Sequence, residues 1–290
     1  MIDDKYLKDN NLYYADVGAK DGVYPKWLNK TKNFKSILFE PNTNSYKLLL
    51  KNKKNNEIII NSALSDKKER LTLNICKSEG SSSIFKPNYK FLNLFYNASR
   101  FNIKSTEVIN ANTLDNLLKI NKIDEIDFLK IDVQGFELNV LKGSLNSLKS
   151  IVGIEVECEI SQMYLGQPLF DKILNFLHNY NFHLFDIKRY YWKRKDSNNK
   201  NNNKGQLIFV DTLFLKQPES LINDHKDNSS KLLRIFYIYL YYGYTDLANI
   251  ILKYMKHRNL IDIDCIDILQ RNIKNVDKTQ YNLPNFPGKI

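Results

Sequence analysis

Short apolar runs recur along most of the chain, and stretches with helical hydrophobic spacing separate them. NLYYADV, ending at Val17, predicts a first strand, and residues 23–30 a short helix. KSILFE (35–40) predicts a second strand. Pro41 and Asn42 open a helix that runs to about Lys53, with Asn42 as its cap, and EIIINSAL (57–64) reads as one buried strand. This alternation is that of a parallel sheet with helices on both faces. RLTLNIC (70–76) alternates and suits an added edge strand, SEGSSSIF (78–85) reads as loop, and no element stands out from there to about Ser105.

Regularity returns with TEVINA as strand and TLDNLLKI as helix, capped by Thr113. IDFLKID (126–132) is a strand, FELNVLKGSLNSL (136–148) one helix, and IVGIEVECE (151–159) another strand. LFDKILNFLHNYN (169–181) is a helix, and FHLFDIK and QLIFVDTLFLK complete the sheet. Between them, KRKDSNNKNNNK (193–204) is polar and of low complexity, with nothing to pack, and predicts a hairpin tip. From about Ser229 the spacing is helical. The expected organisation is an α/β domain over residues 1–217, doubly wound around a mostly parallel seven-stranded sheet, and a helical C-terminal appendage over 218–290.

The totals narrow this picture only slightly. At 290 residues and 43% hydrophobic content the chain can bury a full core. Its longest apolar stretch, LLRIFYIYLYYGY (232–244), contains Arg234 and is too short for a transmembrane helix, so core packing is its expected role. A dimer contact through the C-terminal helices and a membrane-surface patch are the alternatives. Cys76, Cys158 and Cys265 lie far apart, with no CxxC pair, which excludes a disulfide framework and predicts a reducing cytoplasm. The chain starts with no basic-then-apolar signal pattern. The net charge of +11 would suit an anionic partner, but the lysines are scattered rather than blocked, so nucleic acid is not the expected ligand.

The candidate chemistry begins just after the first strand, in Asp16-Val17-Gly18-Ala19-Lys20-Asp21-Gly22. The spacing is not the G-x-G-x-x-G of a dinucleotide site, and carboxylates at Asp16 and Asp21 would repel a pyrophosphate. They suit a ligand bearing cationic groups, as S-adenosylmethionine does at its α-amino group and sulfonium. Glu40, ending the second strand, can accept both ribose hydroxyls of an adenosine.

DVGAKDG, LFEPN, NSALSD, TLDNLL, FLKIDVQGFELNVLKG and GIEVE, in this order, resemble the FkbM-type methyltransferases, and the likeness spans roughly residues 10–216. It implies a class I, Rossmann-like, S-adenosylmethionine-dependent enzyme that O-methylates a hydroxyl of a sugar or natural product. It further implies that Asp16, Gly18, Ala19, Gly22 and Glu40 hold the cofactor, with Ser62, Ala63 and Asp132 closing the pocket. Lys20 stands where that family usually has Asn, and Gln134 where it usually has Glu.

Asp132 ends a buried strand where open α/β sheets bind ligands, and Gly135 lets the chain turn into the next helix. Glu155, Glu157 and Glu159 alternate on the neighbouring strand and share a face; Glu157 best matches the family's acidic position. Glu137 is either a cleft residue or a complement to its helix N-terminus. Asp132 or Glu157 can act as general base, the favoured reading; alternatively the two can hold Mg²⁺. Lys130 brings to mind the Lys–Asp–Lys–Glu set of ribose methyltransferases, but reads better as a strand residue paired with a nearby acid. The four histidines follow no cleft strand. The SSSIF serines lie where family members close over substrate. Two other readings stay open: an RNA ribose 2′-O-methyltransferase, and a catalytically degenerate binding module.

Overall fold

A computed structural model describes residues 2–23, 27, 31–195 and 204–278. The strands are β1 (Leu12–Val17), β2 (Phe34–Phe39), β3 (Glu57–Ile60), β4 (Ala63–Leu64), β5 (Glu69–Cys76), β6 (Ile103–Asn112), β7 (Phe128–Ile131), β8 (Gly153–Glu159), β9 (His183–Trp192) and β10 (Gln206–Leu215). The helices are α1 (Thr43–Lys51), α2 (Tyr89–Leu92), α3 (Leu114–Ile120), α4 (Glu137–Lys142), α5 (Ser147–Ser150), α6 (Phe170–His178), α7 (Pro218–His225), α8 (Ser229–Tyr241), α9 (Thr245–His257) and α10 (Ile263–Lys278).

Seven strands form one sheet in the order β3-β2-β1-β7-β8-β10-β9. The first five pair in parallel, and β10 runs antiparallel between β8 and β9. This is the expected doubly wound, mostly parallel sheet. The chain reverses its winding between β1 and β7, so their carboxyl ends open a crevice. The predicted caps form: Asn42 accepts from the Asn44 and Ser45 amides, and Thr113 from that of Asn116.

Three expectations are corrected. Residues 57–64 are not one strand: Asn61 turns its side chain onto the Glu40 carbonyl (2.9 Å), and the chain swings away after Ile60. Leu64 and Ala63 instead pair with β6, and β5 pairs with the other side of β6, so residues 70–76 belong to a separate three-stranded sheet and are not an edge of the main one. The predicted helix 136–148 breaks into α4 and α5. Gly143 is pressed against the backbone of Ser65, where a Cβ would stand 2.0 Å from the carbonyl oxygen, and Asp115 caps the restart through the Asn146 and Ser147 amides (both 2.8 Å). The predicted helix 23–30 and most of the 193–204 loop lie outside the described residues.

One face of the sheet packs against α3 to α6 through residues such as Ala15, Leu129, Ile154 and Val210. The other is covered by the C-terminal helices. α8 is buried from Lys231 to Tyr241 and shares its apolar cluster with Tyr14, Phe34 and Phe128 of the sheet. Its tyrosines satisfy their hydroxyls inside: Tyr237 donates to the Asp3 carbonyl (2.9 Å) and Tyr239 to that of Lys216 (2.7 Å). Two cations on this helix are buried with it. Asp127 accepts from Lys231 Nζ (2.7 Å), Arg234 Nε (3.0 Å) and the Tyr13 amide (2.8 Å), and Glu125 pairs with both cations. Among the described residues, no helix is long and apolar enough to cross a membrane.

A buried cation stripped of its main partner is costly. Replacing Asp127 with Ala is expected to remove about 3–5 kcal/mol of stability, read by urea denaturation; a loss below about 1 kcal/mol would mean that the cluster does not clamp α8 to the sheet.

Candidate active site

At the end of β1 the backbone turns through Gly18 (φ +85°), where a Cβ would lie 2.1 Å from the Asp132 carbonyl oxygen. Only glycine allows β1 and β7 to end this close together. The Gly18 and Ala19 amides both donate to the Phe39 carbonyl (3.1 and 3.2 Å), and the Gly22 amide donates to Ala19 (2.9 Å). The loop is therefore tied to β2, and these three amides are occupied. In front of it lies a cavity of about 1030 Å³, part of it open to solvent. Its polar lining includes Gly18, Lys20, Glu40, Ser62 and Asp132, and its apolar wall includes Phe39, Leu73, Ile84, Ile109 and Phe136. The three-stranded sheet thus supplies one wall of the site.

Glu40 is only 4% exposed and accepts from the Asn42 amide (2.7 Å). Burial raises its pKa to about 7, against the Asn42 N–H and the nearby Lys20 charge. Lys20 lies within 4 Å of Asp21 and of Glu79 (3.7 and 3.6 Å).

Beyond Asp132 the sheet carries a band of charge. Asp16 is register partner to Lys130, and Lys130 to Glu155; one step further along, Glu157 pairs with Asp211 and Asp211 with Lys188. Register partners share a face, here the one that α8 covers lower down. Asp16 accepts from Tyr14 Oη (2.9 Å) and Lys130 Nζ (3.2 Å), and Lys130 lies 3.9 Å from Asp132. Burial disfavours the Lys130 ammonium, but Asp16 and Asp132 outweigh it and hold its pKa above the usual lysine value. Glu157 is pushed well up by burial and then by Asp132, Glu159 and Asp211. Asp211 is likewise raised by burial, although the Tyr190 hydroxyl (2.6 Å) supports its charge.

The Gln134 amide bridges this group. Its Nε2 donates to Asp132 Oδ1 (3.0 Å) and Glu157 Oε1 (2.6 Å), and its Oε1 accepts from Tyr164 Oη (2.9 Å). Residues 77–102 form a strap over this end of the sheet. Ser83 Oγ donates to the Gln134 carbonyl (2.6 Å), and Tyr164 Oη also reaches the Ser81 carbonyl (3.0 Å). Leu92, Phe95 and Phe101 of the strap pack on Met163, Tyr164 and Ile208.

Residues 16–184, more than half of the chain, match the model of the methyltransferase FkbM domain. The chain belongs to the FkbM methyltransferase family. It is thereby an S-adenosylmethionine-dependent methyltransferase. No curated protein matches it in sequence. Solved structures to which it is similar include M. capricolum TrmK in complex with S-adenosyl-homocysteine (13% identity, 95% of each chain covered, TM-score 0.37). Another is M. jannaschii TYW2 in complex with AdoMet (14% identity, 73% of this chain and 74% of that one, TM-score 0.31).

Of the residues singled out from the sequence of this FkbM methyltransferase, Gly18, Glu40, Ser62, Ala63 and Asp132 line the cavity together. Asp16, Ala19 and Gly22 do not; they shape the loop from behind. Glu157 stands beside Asp132 on the far side of Gln134. Glu137 is fully buried and caps the Val133–Gly135 turn, its Oε1 accepting from the Val133 and Gly135 amides (3.1 and 3.0 Å). Among the described residues no group of three or more His, Cys, Asp or Glu side chains is arranged to hold a metal ion. Sequence reasoning missed Asp211 and Tyr164. A lone acid inside the apolar strand QLIFVDTLFLK was the available signal for the first; nothing local marked the second.

The Glu40 shift fixes a pH dependence. Its folded-state pKa lies above its unfolded value, so the folded state holds the extra proton between the two, and stability falls as pH rises through that window. Relative to Glu40→Gln, the ligand-free protein is expected to lose about 2–3 kcal/mol between about pH 5 and pH 8, measured by denaturation at each pH. A pH-independent difference would contradict the burial of this carboxyl.

Proposed function

We propose that this chain transfers a methyl group from S-adenosylmethionine to a hydroxyl of a sugar or glycan precursor. The observation that carries the reading is the position of Asp132, which lines the cavity on one side and joins Glu157 through Gln134 on the other. The cavity fits the cofactor in kind: an acid at the end of β2 for ribose hydroxyls, an apolar wall for an adenine, and a glycine turn that leaves room at the end of β1. Bound there, S-adenosylmethionine supplies a methyl group on a good leaving group, so the protein has only to orient the acceptor and take its proton.

Asp132 is the base in this reading, because its side chain is 40% exposed and reaches the cavity. Glu157, whose carboxyl is pushed well up by burial and by its acidic neighbours, orients the acceptor hydroxyl. Further along the band, Asp211 and the stacked rings of Tyr190 and Phe209 (centroids 4.3 Å apart) suit a polyhydroxylated ring. Carboxyls dominate this end of the sheet, with Asp132, Glu157 and Asp211 close enough to influence one another, and they suit a ring of hydroxyls better than a phosphodiester. That favours a sugar over RNA despite the net charge of +11. The buried, unpaired cysteines suit the reducing cytoplasm where such precursors are made.

Transfer of a labelled methyl group to a panel of monosaccharides, nucleotide sugars and RNA tests this. Turnover on a sugar hydroxyl is expected, with kcat falling by about a hundredfold or more in Asp132→Asn and the KM for the methyl donor little changed. Transfer confined to RNA, or wild-type turnover by Asp132→Asn, would sink the reading.

A further inference from the structure

Gln134 occupies a position that the backbone makes costly. Its φ of +56° lies in the left-handed region, which side chains other than Gly, Asn and Asp seldom adopt, and such strain persists only where the surroundings impose it. Three surroundings do. Ser83 of the strap holds its carbonyl, Tyr164 holds its side-chain oxygen, and two carboxylates take its two amide protons. The amide has one self-consistent orientation: two donors meet two acids and one acceptor meets a phenol, whereas a flipped amide would turn its oxygen onto both carboxylates.

We propose that Gln134 is a positioning residue for methyl transfer: its amide holds Asp132 and Glu157 in one geometry and offsets the repulsion between them, while Tyr164, packed against the strap, holds the amide and Ser83 of the strap holds the Gln134 backbone. The inference rests on the reading of Asp132 and Glu157 as the acids that face the acceptor. Two neighbouring carboxylates without a bridging donor compete to stay ionised, and one takes a proton at higher pH. A shared amide lowers that proton affinity without adding a charge of its own. A carboxylate at position 134, the residue the family usually has there, would in this chain do the opposite, adding a third acid to a pair already faced by Lys130 and by Glu159, Asp211 and Glu137, with Arg100 and Tyr164 at its outer side.

The test compares Gln134→Glu and Gln134→Leu with the wild type by ¹³C NMR titration of the labelled side-chain carboxyls, together with pH profiles of kcat on the acceptor found by the transfer assay. Tyr164→Phe, which frees the amide without altering position 134, serves as the gentler variant should Gln134→Leu fold poorly. The titration midpoint of the pair and the acid limb of the kcat profile are expected to move up by about one pH unit or more in Gln134→Glu, and by less in Gln134→Leu and Tyr164→Phe. Activity lost at neutral pH should return at alkaline pH. A kcat that falls equally at every pH, with unmoved carboxyl midpoints, would mean that Gln134 only supports the turn and would overturn the proposal. The carboxyl titration needs no acceptor. Moved midpoints alongside an undiminished kcat in Asp132→Asn would therefore count against the base assignment and not against the bridge.

Discussion

The ammonium of Lys130 anchors the acidic end of this sheet. It lies between Asp16, which is 1% exposed, and Asp132, which is 40% exposed, and is itself only 15% exposed. Carboxylates so placed on central strands would otherwise pay several kcal/mol each to remain charged. Because Asp16 sits on β1 and Lys130 on β7, their contact also spans the two strands at which the winding reverses. The ion pair thus ties together the side chains of the two strands at the crevice, while the outer acid, Asp132, lines the cavity.

The rest of the molecule can be understood as enclosing that band. After its two opening serines, helix α8 carries only Lys231 and Arg234 among apolar and aromatic side chains, and it covers the lower half of the sheet face, where Phe128 and Leu213 point. Its cover ends where the charged row begins. The strap closes the opposite side with its own small apolar cluster and two hydroxyl contacts, Ser83 to Gln134 and Tyr164 to Ser81. The three-stranded sheet, which forms because the chain leaves the main sheet at Asn61, adds the apolar wall across from Glu40. The cavity and the acidic cleft consequently meet at Asp132 and Gln134.

What the sequence disclosed was mainly local. The glycine loop, the caps at Asn42 and Thr113, the acid ending β2 and the two acid-bearing strands all follow from short-range patterns, as does the burial of the tyrosine-rich helix. Those patterns, joined by the resemblance to FkbM-type methyltransferases, point to Gly18, Glu40, Ser62, Ala63 and Asp132 together, and all five line one cavity. What was hidden depends on long-range pairing. Asp16 reads as a ligand-facing carboxylate until Lys130, 114 residues away, is seen to occupy it. Residues 57–64 look like one strand because their apolar run is continuous, and only the distant β6 draws Ala63 and Leu64 into another sheet. Tyr164 and Asp211 are ordinary in their own neighbourhoods and acquire a role only through Gln134 and Glu157.

The central claim, that the cavity between Gly18 and Glu40 holds the methyl donor, is tested most directly by calorimetric titration of the cofactor-free protein with S-adenosylmethionine, alongside Glu40→Ala. The account predicts micromolar binding to the unmutated chain, weakened by about tenfold or more when the carboxylate that meets the ribose is lost. A folded, cofactor-free protein that takes up no S-adenosylmethionine, or that binds it equally well without Glu40, would contradict it.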